Sequence, residues 1–319
     1  MKVLVAPLNW GLGHATRCIP IIDYYLCQNH EVVLAGDGDS LLLLRKRYPQ
    51  LRHVPLPSLR LHYSRTNSQV TTLLRQLPHL LHWMVQDHRT LQQLLAIEHF
   101  DLVISDNRFA FHSHSTRCVY LTHQLHICLP EAWKWLEPCA EVIHRRIMNK
   151  YAEIWVPDTP TEPSLAGRLS HPHKPPRHLH YIGHLSRFTN MPATPQPDTT
   201  YQVVLLLSGL EPQRTLLENE IIGRYQAQQE TLLVIQGKPD APFCKFTKGN
   251  ITVVPYMEDT ELVAHLLGAS KVIARSGYSS IMDFSALGIL PKCELIPTQG
   301  QPEQEYLAHH LLKYTNIPH

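Results

Sequence analysis

Short apolar runs alternate with helix-length segments along most of the chain, and the rhythm occurs twice. The first set runs KVLVA (2–6), a helical segment over 15–28, EVVLAG (31–36), a helical segment over 40–48, FDLVIS (100–105) and RCVYLT (117–122). Continuous apolar strands separated by helices are the pattern of a parallel sheet covered on both faces, because each strand must bury both of its sides. AEIWVPD (152–158) follows, and the rhythm then breaks over 184–200, HLSRFTNMPATPQPDTT, where three prolines lie among small polar residues. Such a stretch reads as a linker. The rhythm restarts with YQVVLLLSG (201–209), a helix from Pro212 to about Gln228, TLLVIQG (231–237), ITVVPY (251–256), a helix near Asp259–Gly268, KVIARSG (271–277), a helix to Leu287 and KCELIPT (292–298). The expected organisation is α/β: a Rossmann-like domain over 1–183, a linker over 184–200, and a second Rossmann-like domain over 201–319.

A chain of 319 residues with 44% hydrophobic residues is long enough for two such cores. Lys and Arg number 29 against 27 Asp and Glu, so the formal charge is +2 and no strong field points to nucleic acid. The chain enters its first apolar strand with no charged leader, and no run approaches the roughly 20 apolar residues of a bilayer span, so a cytoplasmic protein is expected. Its seven cysteines show no CxxC spacing and read as reduced thiols. The 22 histidines include close pairs at His112/His114, His123/His126, His171/His173 and His178/His180. None has the neighbouring acid or cysteine of a zinc motif in sequence, and no metal is expected.

Gly11-Leu12-Gly13-His14-Ala15-Thr16 sits where a dinucleotide fingerprint would. Thr16 replaces its third glycine, residues 7–10 separate the motif from the strand, and Asp37 is the available ribose acid. The match is poor. The segment reads better as a loop that carries His14 to the first turn of a helix at the carboxyl end of the first strand, where open α/β sheets place their ligands.

In the second half, a strand, Ser276-Gly277, a helix start through Tyr278 and Ser279, and Asp283 follow one another. Unpaired amides at a helix amino end favour phosphate, and a carboxylate seven residues after Ser276 can accept from ribose hydroxyls. A nucleoside diphosphate suits this arrangement.

With the loop at Gly11 and Gly13, Ser208-Gly209 after the first strand of the second half, RSGYSSIMDFSALG (275–288) and PTQGQPEQEYLA (297–308), the chain resembles MurG-type glycosyltransferases of family 28. The resemblance implies the GT-B fold, two Rossmann-like domains facing each other across a cleft, and transfer of a sugar, N-acetylhexosamine by preference, from a UDP-sugar. It implies a backbone contact to uracil at Tyr256-Met257, a ribose contact at Asp283, and polar contacts to the donor sugar at Gln299, Gly300 and Gln304. The chain departs from the family in the shorter acid at Asp283, in a glycine-poor LSGLEPQR (207–214), and in ending at NIPH, which suggests a short or truncated form.

Such a transfer passes through an oxocarbenium-like state while the diphosphate leaves. The expected device is metal-free, with no cofactor beyond the donor: helix amides, Arg275 and Ser276 meet the diphosphate, and Glu211 and Arg214 are further donor contacts. His14 is the candidate base, with Asp106 and His123 as alternative bases or orienting partners. The structural alternatives are that Asp106 caps a helix after Asn107, Asp37 caps the helix after it, and Glu211 merely adjoins a helix start. The leucine-rich segment 66–96 reads either as a core helix hairpin broken near Pro78 or as a surface for the acceptor or an anionic bilayer. The acceptor is a glycan or a lipid-linked molecule on this reading, with peripheral contact at the inner face of the membrane. Three rival functions remain: a UDP-sugar epimerase, a non-catalytic nucleotide-sugar-binding subunit, and an NAD-dependent oxidoreductase.

Overall fold

The computed structural model describes residues 1–59, 76–189, 191 and 201–314. Two compact units emerge: Met1–Leu185 with Gly300–Glu303, and Ser186–Gln299 with Gln304–His319. The chain passes to the second unit within the segment expected as linker, and Ser186 and Phe188 are buried there, 2% and 4% exposed. An apolar ring and a hydroxyl with a carboxylate partner pack in preference to staying in a solvated tether.

The first unit is built on a seven-stranded sheet. Its strands are β1 (Lys2–Pro7), β2 (Glu31–Gly36), β3 (Arg52–Pro55), β4 (Leu102–Asp106), β5 (Arg117–Leu121), β6 (Glu153–Val156) and β7 (Leu179–Tyr181). They lie in the order β3-β2-β1-β4-β5-β6-β7 and all pair in parallel. Alternation along β1 feeds two cores. Val3 and Val5 pack with Ala15, Cys18, Ile19 and Ile22 of α1 (Leu12–Cys27) and Leu44 of α2 (Gly38–Arg47). Leu4 and Ala6 pack on the other face with Leu91 of α3 (Leu77–Ile97) and Met148 of α4 (Glu137–Met148). That is the double cover a fully apolar parallel strand demands.

One local expectation changes and another meets the structure in part. The helix begins at Leu12, with Gly11 as its N-cap at φ 89°, so Leu12 and Gly13 belong to the helix and His14 sits at its third position. Only a glycine takes that backbone conformation without strain. Pro78 stands in the opening turn of α3, where a helix needs no amide donor, so the helix starts at the expected break. Trp83, Asp87 and Leu91 form the buried face of α3; residues 66–75 of the expected hairpin fall outside the described residues.

The second unit holds a six-stranded sheet of β8 (Val203–Leu206), β9 (Leu232–Ile235), β10 (Phe246–Lys248), β11 (Ile251–Val254), β12 (Lys271–Arg275) and β13 (Cys293–Ile296). The order is β10-β11-β9-β8-β12-β13, parallel except for β10. Helices α5 (Gln213–Tyr225), α6 (Asp259–Gly268), α7 (Tyr278–Ala286) and α8 (Pro302–Leu311) accompany it. Val203, Leu205, Val234 and Ile273 of the strands bury Leu217 and Ile221 of α5.

Candidate active site

In a parallel sheet wound in both directions from its middle, the loops diverge at the carboxyl ends of the two central strands and leave a crevice for ligands. In the first unit those strands are β1 and β4, paired to their last residues, Pro7 opposite Asp106. His14 and Arg17 come from the start of α1 after β1, Asp106 ends β4, and His123 follows β5.

These side chains converge. Asp106 is fully buried and receives Arg17 Nε at 2.8 Å on one oxygen and Arg17 Nη2 on the other. His14 Nδ1 lies 3.2 Å and 3.3 Å from the two carboxylate oxygens. It is also 3.0 Å from Arg17 Nη2. A carboxylate can only accept and a guanidinium can only donate, so His14 Nδ1 gives a proton to Asp106 in the tautomer that leaves Nε2 bare and accepts from Arg17 in the other. Arg17 Nη1 is 3.1 Å from His123 Nδ1. That nitrogen must accept, which puts the proton of a neutral His123 on Nε2, where Glu303 Oε1 receives it at 2.8 Å. A neutral His123 is thereby a donor to Glu303, and His14 can take a proton at Nε2 in the tautomer that bonds Asp106.

Burial by itself would raise the pKa of Asp106, but Arg17 and His14 overcome it and hold the carboxyl at about 2. His14 is shifted down: burial disfavours its imidazolium more than Asp106 favours it, and Arg17 adds to the depression. Its place at the positive amino end of α1 works in the same direction. The result is a neutral imidazole beside an ionised carboxylate near pH 7. Asp106 caps no helix; its oxygens are spent on α1.

Asp37 also departs from expectation. It occupies the N-cap position of α2 without a side-chain cap bond, and its carboxylate instead receives Arg108 Nη1 at 3.0 Å and Asn9 Nδ2 at 3.3 Å. The acid that a dinucleotide reading would assign to ribose is committed to a buried cation.

In the second unit the central strands are β8 and β12, and the expected donor loops, Ser208-Gly209 and Ser276-Gly277, leave their carboxyl ends. Gly277 is the N-cap of α7 and has no side-chain cap bond, while Tyr278 begins the helix and is buried and Ser279 is half-buried. Tyr256 and Met257 follow β11 and are half-buried. Gln299 is exposed, and Gly300, which belongs to the first unit, is half-buried. Gln304 accepts the amide of Thr298 through its side-chain oxygen at 2.8 Å, and its carbonyl takes Ser276 Oγ at 2.8 Å.

Several expected donor contacts are already engaged. Arg275 is buried, with Nη1 on the carbonyl of Pro297 and Nη2 on that of Gln213, each at 2.9 Å, so it laces β12 to its neighbouring loops. Arg214 pairs with Glu211 at 2.9 Å and donates to the Gly237 carbonyl at 2.9 Å. Glu211 in turn accepts from the amide of Thr215 at 3.2 Å, which is the structural role that a helix start offers an acid. Asp283 is 8% exposed and accepts Ser186 Oγ at 2.6 Å, with Arg187 Nε at 3.6 Å. Burial outweighs Arg187 and pushes its pKa up to about 6.

Arg17, Glu303, Ser186 and Arg187 escaped the sequence reading. The one signal available was the helical spacing of His14 and Arg17, which puts both on one face. Among the described residues no three His, Cys, Asp or Glu side chains group as metal ligands would. Of the paired histidines, His123 joins the site, His112 packs among His88, His114 and Tyr151, and His171 stacks on Tyr181.

No protein-family model matches the chain, and no curated protein matches it. Solved structures do. The glycosyltransferase of kitacinnamycin is 14% identical with a TM-score of 0.61, over 97% of this chain and 83% of that one. Spinosyn rhamnosyltransferase SpnG is 14% identical with a TM-score of 0.62, over 98% and 84%. A Listeria monocytogenes protein described as a UDP-N-acetylglucosamine 2-epimerase is 12% identical with a TM-score of 0.57, over 98% and 88%. At these identities the likeness is one of fold, and with its two wound sheets the chain has the GT-B architecture.

Proposed function

We propose that this chain is a glycosyltransferase of the MurG type, moving a sugar from a UDP-sugar to an acceptor hydroxyl with inversion and without metal. The observation that carries the reading is the His14–Asp106 pair at the crevice of the first sheet. The acceptor hydroxyl gives its proton to His14 Nε2 and its oxygen attacks the sugar's anomeric carbon. The bond from that carbon to the diphosphate breaks on the opposite face, and the electron pair leaves with the phosphate oxygen. Asp106 stabilises the imidazolium that forms. The second unit supplies the donor site: amides at the start of α7 meet the diphosphate, Asp283 the ribose, and Tyr256-Met257 the base. N-acetylhexosamine as the sugar rests on the family resemblance.

Thermal shift and calorimetry with UDP, dTDP, GDP and NAD, each with EDTA present, test the donor class. UDP should bind best, and Asp283→Ala should weaken it by roughly 1.5–3 kcal/mol as a hydrogen bond to a charged group is lost. Binding of NAD alone, or unchanged UDP affinity in the variant, overturns the assignment. An epimerase is the second reading, favoured by the fold shared with the Listeria protein. It would convert the donor with no acceptor present.

A membrane-borne acceptor fits α3, where Leu77, Leu81 and Val85 are 44%, 53% and 48% exposed at successive turns, with Arg89 one turn on. A row of that kind can rest in a lipid interface beside a cation. The chain would then work at the inner face of the membrane. Wild type should float with anionic liposomes, and Leu81→Glu/Val85→Glu should stay at the bottom. Equal flotation of the two, or none by either, removes the membrane from the reading. Arg75, the other cation of this segment, lies outside the described residues.

A further inference from the structure

A carboxylate beside an imidazole raises its basicity, burial lowers it, and a cation on the carboxylate takes back part of the rise. Asp106 is not unopposed. Arg17, 2% exposed, covers both of its oxygens and reaches His14 and His123 with the rest of its fork. The groups acting on His14 are Asp106 from β4, Arg17 from α1, His123 after β5 and Glu303 at the start of α8, with the amino end of α1 itself, while Cys18 of α1 lies against Asp106. Cys18 is a buried thiol whose pKa burial pushes up, so it contributes no charge. Glu303 is occupied by His123. Burial is the largest influence on His14, and the charges that act on it most directly are one anion and one cation locked to each other.

We propose that Arg17 is a positioning residue that neutralises Asp106 and so, together with burial, keeps His14 an unprotonated imidazole able to take the acceptor's proton. The role in transfer rests on the glycosyltransferase reading. The charge state of His14 does not, so it is measured without any nucleotide sugar.

The experiment is NMR titration of His14 in histidine-labelled protein, its signal assigned with His14→Gln. Arg17→Gln should raise the His14 midpoint by about 1–2 pH units, a tenfold or greater rise in the protonated fraction at fixed pH. Arg17→Lys keeps the charge and should stay within about half a unit of wild type. In Arg17→Gln/Asp106→Asn both charges are gone, and the midpoint should return close to wild type. A midpoint in Arg17→Gln at or below wild type overturns the proposal, as does a double variant that keeps the full rise. If Arg17→Gln fails to fold around its unpaired Asp106, the comparison of Asp106→Asn with the double variant decides. Arg17 must make the midpoint lower in the former, and equal midpoints overturn the proposal. Absence of sugar transfer under all conditions would sink the functional reading and leave this titration standing.

Discussion

Replacing His14 with alanine is expected to lower sugar-transfer turnover by about 10²–10⁴-fold, the usual loss on removing a general base, while UDP affinity stays near wild type. The split follows from where the groups lie: His14 is held in the first unit by Asp106 and Arg17, whereas the residues proposed for the donor belong to the second. A residue that acts only in the transition state lowers kcat and kcat/KM together and leaves ground-state binding alone. The pH profile carries a second signature. Because burial, aided by Arg17, holds the His14 pKa below that of an ordinary histidine, wild-type turnover should stay level through neutrality and fall only on the acid side as the imidazole protonates. In His14→Ala that acid limb should be lost from the residual activity. Wild-type turnover in the variant would return His14 to a purely structural role.

Replacing Arg108 with methionine is expected to destabilise the chain by about 3–5 kcal/mol, the cost of leaving buried charge unpaired. Arg108 is 0% exposed. Its Nη2 meets Asp87 at 2.8 Å and its Nη1 meets Asp37 at 3.0 Å. Further bonds reach the carbonyls of Pro7 at 3.2 Å and Pro57 at 3.3 Å, and the guanidinium lies 5.3 Å from the Trp83 ring. One side chain thus ties the carboxyl ends of β1, β2 and β3 to α3, and it braces the β1 end from which the His14 helix departs. Urea unfolding measures the loss. Asp87 already has its pKa raised by burial, offset only in part by Arg108. Without the cation the folded-state pKa of Asp87 rises further above its unfolded value. The folded state then holds a proton that the unfolded state has released, so stability falls as pH climbs from the ordinary carboxylate range toward the raised pKa. The deficit should accordingly be larger at pH 8 than at pH 5. Adding Asp87→Asn and Asp37→Asn to Arg108→Met should recover part of it. A deficit below about 1 kcal/mol, or one independent of pH, would show that the cluster is not held by charge pairing.

The architecture was legible because it is written in local pattern. Apolar runs such as KVLVA and KVIAR become β1 and β12, and the helix read at Asp259–Gly268 is α6 with those same bounds. Periodicity and strand burial are properties of a few adjacent residues, and short-range sterics act on them before any distant contact forms. The positions of the candidate site were legible for a related reason: Gly11, Ser208 and Ser276 follow strands, and the carboxyl ends of parallel strands are where such folds keep their ligands.

What each side chain does there was decided by partners far away in sequence. Arg17 meets Asp106 across 89 positions, and His123 meets Glu303 across 180. Asp37 looked like a helix cap until Arg108, 71 residues on, took its carboxylate. Arg275 looked like a phosphate ligand until the carbonyls of Gln213 and Pro297 took its fork. Sequence by itself determined most of the central elements, their parallel winding and the strand ends at which function can sit, since these follow from propensity and hydrophobic period; the short edge strands β3, β7 and β10 and the helix α4 went unread. Only the tertiary structure decided charge, partner and occupancy at those ends, because a buried polar group takes whichever partner the fold brings within about 3 Å, and local sequence carries no record of that distance.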